Sequence, residues 1–80
     1  MPPLSQLPGN ISRRKFLNAL RKLGFRINEI GGKGSHVKII WTNEKSVTVP
    51  TNLNKYVLRY VLTEIGEISG KTWEKIQQEL

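Results

Sequence analysis

Between residues 25 and 50 apolar and polar side chains alternate in three short runs, and on either side the apolar spacing changes to three and four. Alternation with a period of two belongs to a strand with one buried face; spacing of three and four belongs to an amphipathic helix. The runs are residues 25–30, residues 36–41 and Ser46-Val47-Thr48-Val49. Gly31-Gly32-Lys33-Gly34 separates the first two, Thr42-Asn43-Glu44-Lys45 separates the second and third, and Pro50 ends the last. Linkers this short join antiparallel neighbours. Three such strands form a meander whose apolar face must be covered by the flanking helices. The expected fold is therefore α+β, in the order α-β-β-β-α-α, with a three-stranded antiparallel sheet and the helices on one face.

The helices carry their own boundary signals. Ser12 is a candidate N-cap, and Ile11 and Phe16 stand where a hydrophobic staple places its two residues. Phe16, Leu17, Leu20 and Leu23 form one stripe, Gly24 offers a left-handed C-terminal residue, and Phe25 can pack back on Leu20. Val57, Leu58, Val61, Leu62 and Ile65 mark a second helix over roughly residues 55–65, capped by Asn52 or Asn54 and stopped by Gly66. Ser69 is expected to restart a short third helix, with Ile68 and Trp73 as its staple and Trp73, Ile76 and Leu80 as its apolar edge. Residues 1–10 hold three of the four prolines and no charge, and read as an extended arm before a single domain over 11–80.

Eighty residues suffice for one small core. The chain has no cysteine, which excludes disulfides, thiolate zinc sites and cysteine nucleophiles, and suits a reducing cytoplasm. The opening residues lack the basic and apolar regions of a secretory leader, and no apolar run approaches the roughly 18 residues of a membrane span. The expectation is a cytoplasmic protein without a membrane partner. Its net charge is +7, and the excess is uneven. Residues 1–40 contain eight cations and one acid, Glu29, whereas residues 41–80 contain five of each. Arg13 and Arg14 sit at a helix N-terminus, where they oppose the helix dipole. Such a concentrated positive field attracts polyanions, nucleic-acid phosphate foremost.

The inventory for chemistry is thin. Six scattered glutamates and one histidine offer neither a carboxylate pair nor a metal cluster, so no metal and no cofactor are expected. The glycine-rich turn lacks the phosphate-loop pattern and leads into a strand rather than a helix. His36 remains. It opens the second strand directly after Gly34-Ser35, with Lys38 on the same strand face and Lys33 in the adjoining turn. Metal-free RNA cleavage needs a base for the 2′-hydroxyl, cations for the phosphorane charge and a proton for the leaving oxygen. His36 has the chemistry of the base, Lys33 and Lys38 that of the cations, and backbone N–H groups around Gly34 that of anion donors. A lone strand histidine is also an ordinary surface or half-buried residue, and spacing does not separate the two readings.

Leu20-Arg21-Lys22-Leu23-Gly24-Phe25, then Gly32-Lys33-Gly34-Ser35-His36, then Val47-Thr48-Val49-Pro50, then a helix and Ile68-Ser69, together resemble the HicA family of toxins over roughly residues 8–80. The resemblance implies a double-stranded-RNA-binding-domain-like fold and a metal-independent endoribonuclease acting on mRNA, an mRNA interferase. It also implies inhibition by a HicB-like antitoxin. Under it His36 is the catalytic histidine, Gly34 and Ser35 shape its turn, and Lys33, Gly34, Ser35 and Lys38 contact RNA. Many relatives carry a further histidine after the Val-Pro pair; Asn52 stands there in this chain, and the loop holds no glycine. A non-catalytic RNA-binding module is the alternative, and a domain binding an acidic protein is a third reading.

Overall fold

A computed structural model describes residues 4–28, 36–42 and 44–80. A 3-10 turn at Leu4–Gln6 precedes helix α1 (Arg13–Lys22), strands β1 (Arg26–Asn28), β2 (His36–Ile40) and β3 (Ser46–Pro50), and helices α2 (Lys55–Ser69) and α3 (Trp73–Glu79). The strands pair antiparallel in the order β1-β2-β3. This is the expected α+β arrangement. Val37, Ile39, Val47 and Val49 point from the sheet into one core with Phe16, Leu20, Leu58, Val61, Ile65 and Ile76. Each such side chain removed from water contributes roughly 1.5–3 kcal/mol.

Local chemistry sets the ends of α1. The Ser12 hydroxyl accepts from the Lys15 N–H at 3.4 Å. At the other end the Phe25 N–H donates to the Leu20 carbonyl and the Gly24 N–H to the Arg21 carbonyl, both at 3.1 Å. These two bonds define a Schellman termination, which needs a left-handed residue, and Gly24 supplies it with φ +106°. A Cβ there would also lie 3.4 Å from the Trp41 ring. Between β2 and β3 the chain turns with Glu44 at φ +67°, closed by the Trp41 N–H donating to the Lys45 carbonyl at 2.9 Å.

Four details depart from expectation. Helix α2 does not stop at Gly66 but runs on to Ser69, where Gly70 ends it at φ +74°. Half-buried Ile68 packs on the core and makes the extra turn worth forming, against roughly 1 kcal/mol for a helical glycine. Ser69 therefore does not restart a helix: its hydroxyl donates back to the Ile65 carbonyl at 2.7 Å. Thr72 caps α3, accepting from the Lys75 N–H at 3.4 Å, so Trp73 is the first residue of α3 and no staple partner of Ile68. Leu80 stays half exposed, off the apolar edge of α3.

The segment before α1 is held to the domain. Leu7 is buried, Asn10 pairs with Asn54 in an isolated bridge, and the Ile11 N–H donates to the Leu53 carbonyl at 3.3 Å. These contacts bring the starts of α1 and α2 side by side. Asn54 caps α2, accepting from the Tyr56 and Val57 N–H groups at 3.0 Å each.

Candidate nucleic-acid interface

Strand pairing decides what the outer face of the sheet presents. Asn28, Lys38 and Thr48 share one rung, and Arg26, Ile40 and Ser46 the next. Strands lie roughly 4.8 Å apart, so each rung sets its three residues within about 10 Å. Asn28, Lys38 and Thr48 are all exposed, while the alternate residues Val37, Ile39, Val47 and Val49 are buried. Lys38 thus stands on the central strand, flanked by an amide and a hydroxyl. The backbone of His36 opens β2 opposite Pro50, two residues from Lys38. Lys33, Gly34 and Ser35 lie outside the described residues.

A groove of about 600 Å³ runs where α1 meets this end of the sheet. Arg13, Arg14, Leu17, Asn18 and Arg21 line it from α1, Ile27 from β1, and Thr51 from just beyond β3. Thr51 follows Pro50, the register partner of His36, so the groove and the first rung of β2 adjoin through the chain. The Arg21 guanidinium donates to Asn18 Oδ1 at 3.3 Å. Helix α1 contains no acid, so none of its cations is neutralised within the helix. Lys22 is set apart: its ammonium reaches the Glu79 carbonyl at 3.4 Å and ties α1 to α3. The cations of α1 were visible in the sequence. Leu17, Asn18, Ile27 and Thr51 as partners in one groove were not, because packing creates it.

The opposite charge collects elsewhere. Glu64 and Glu67 lie on α2, Glu74 and Glu79 on α3. A cleft of about 590 Å³ between the 3-10 turn, α2 and α3 includes Glu67 and Glu74 beside Leu62 and Trp73. Tyr60 holds its proton above the usual phenol range, chiefly because it hydrogen-bonds Glu64, with that carboxylate's charge adding to the effect. Neither tryptophan is a free stacking platform. Trp73 is buried, and Trp41 lies against the Phe25 ring at 4.6 Å with the Lys71 ammonium 5.5 Å from its own ring. Among the described residues no group of three or more His, Cys, Asp or Glu is placed to hold a metal, and no helix is long and apolar enough to cross a membrane.

A family model described as the HicA toxin of bacterial toxin-antitoxin matches residues 13–70, from the first residue of α1 to the glycine that ends α2. The chain belongs to the HicA toxin family. No curated protein and no solved structure gave a match. As a HicA-family chain it takes the toxin role of a toxin–antitoxin system, and that role implies an antitoxin as its partner. The matched span contains the whole sheet, the His36 position and the groove beside α1. Helix α3 lies beyond it.

Proposed function

We propose that this HicA-family toxin is a metal-independent endoribonuclease acting on mRNA, with His36 as general base. The observation that carries the reading is the register of β2, with exposed Lys38 on the central strand two residues from the histidine. In a strand two residues span roughly 6.6 Å, a distance suited to one group at a ribose hydroxyl and the other at the neighbouring phosphate. His36 removes the 2′-hydroxyl proton. The 2′-oxygen then bonds to the adjacent phosphorus as the bond to the 5′-oxygen breaks, and that oxygen takes a proton from water. The products are a 2′,3′-cyclic phosphate and a 5′-hydroxyl. Lys38, with Lys33 and the backbone around Gly34 and Ser35, offsets the charge that builds on the phosphate oxygens.

The antitoxin is proposed to be HicB-like and to cover His36 and the cationic sheet face, so that inhibition and substrate binding compete for one surface. A long unstructured RNA incubated with the protein in EDTA tests the catalytic reading. Cleavage to cyclic-phosphate ends, abolished by His36→Ala with RNA affinity retained, is the expected result. Tight binding that leaves the RNA intact would instead make the domain a non-catalytic RNA reader. The presence of Asn52, where many relatives carry a second histidine, makes that comparison worth running.

A further inference from the structure

The groove beside α1 is large, cationic and not required by the chemistry assigned to His36. Its rim carries Arg14 and Arg21, both exposed, and half-buried Arg13, while its floor includes the apolar side chains of Leu17 and Ile27. Helix stability accounts for Arg21, in the last turn of α1 where a cation suits the helix dipole, but not for Arg14. Arginine in the first turn faces the positive end of the helix dipole, and no acid in α1 stands three or four residues away to offset it. A cationic rim over an apolar floor matches a chain with charge along its edge and flat apolar faces inside.

We infer that this groove holds the unpaired RNA strand beyond the scissile phosphate. Arg14 and Arg21 contact successive phosphates, and a base or ribose rests against Leu17 and Ile27. The inference builds on RNA as the toxin's substrate. A duplex would meet the rim alone, since its base faces are stacked inside, whereas an unpaired strand can use rim and floor together. Thr51 provides the continuity: it lines the groove and directly follows the residue registered against His36.

The test uses the full chain and a short unstructured 2′-O-methyl oligoribonucleotide, which lacks the attacking hydroxyl and stays intact whether or not His36 is a catalyst. Affinity is measured against salt concentration for the parent, for Arg14→Ala/Arg21→Ala and for Lys22→Ala. Each phosphate contact on a single strand contributes about 0.7 to the slope of log affinity against log salt. The double variant should lose about 1.4 in slope and tenfold or more in affinity, with its unfolding midpoint preserved. Lys22→Ala, equally cationic but tied to Glu79, should keep the parent slope. A duplex of the same length should be far less sensitive to the double substitution. An unchanged slope in the double variant overturns the inference. So does an equal loss with Lys22→Ala, which would reduce the effect to net charge. Equal loss of poly-glutamate binding would make the groove a general anion patch and overturns it as well. None of these outcomes depends on cleavage, so failure of the His36 assignment would be seen separately.

Discussion

His36 and Pro50 face each other across the first rung of β2, and the next residue after Pro50, Thr51, lines the groove beside α1. One end of the sheet therefore joins the proposed base to the proposed strand path. Pro50 has no N–H to give, so β3 ends at this rung and the chain is released toward Asn54 and α2.

A base acts in its unprotonated form. Cleavage by the parent should therefore rise with pH from acid, about tenfold per unit, and level off once the histidine has lost its proton. The sign follows from the role: protonation removes the lone pair that takes the 2′-hydroxyl proton. kcat/KM profiles on an unstructured RNA check this. A rate that climbs as pH falls would reverse the role of His36 to that of an acid.

Lys38 is exposed on the central strand, so its removal leaves no cavity. Lys38→Ala should leave the unfolding midpoint within a few degrees and lower kcat/KM about 10–100-fold, below the full effect of a buried oxyanion donor. Lys38→Arg should recover part of that loss by restoring the charge. Loss of stability in step with loss of activity would assign Lys38 to the fold instead.

Most of the fold is legible in residue spacing because each element closes its own local account. Ser12, Gly24 and Asn54 act within four residues of themselves, and alternation at Val37, Ile39, Val47 and Val49 names the buried sheet face without reference to any partner. Gly66 misled because its intrinsic preference is local, while the force that carries α2 through it is the packing of Ile68 on the core. The site divides the same way. Lys38 beside the His36 position follows from alternation along one strand. The groove joins α1, β1 and the residue after β3, elements brought together by the core alone, and so leaves no mark in any single stretch of chain.

Among the described residues Tyr60 is a titrating group clearly displaced by its neighbours, and Glu64 four residues on is the chief cause. The carboxylate favours the protonated phenol, so the folded chain deprotonates Tyr60 at higher pH than the unfolded chain does. Whatever stability this pair contributes is complete below pH about 10 and is lost as pH rises through the folded value. In a Tyr56→Phe background, alkaline absorbance titration should show a raised Tyr60 midpoint. Glu64→Gln should bring it down; an unmoved midpoint would locate the cause elsewhere.

Three glycines should respond to alanine with different signs. Gly66 lies inside α2, and a Cβ there would meet nothing nearer than the Lys71 carbonyl at 3.9 Å. Gly66→Ala should stabilise the domain by about 0.5–1 kcal/mol, since alanine is the better helix former and loses less backbone freedom. Gly70 has open space around it but φ +74°, so Gly70→Ala should destabilise by about 1–2 kcal/mol through conformation alone. Gly24 combines φ +106° with a ring at 3.4 Å, and Gly24→Ala should destabilise by at least as much. For a domain this size 1 kcal/mol moves the midpoint by roughly 4–8 °C, so thermal unfolding resolves all three. If Gly66→Ala destabilised as Gly70→Ala does, α2 would have to end at Gly66, and Ile68 would no longer be held against the core by that helix.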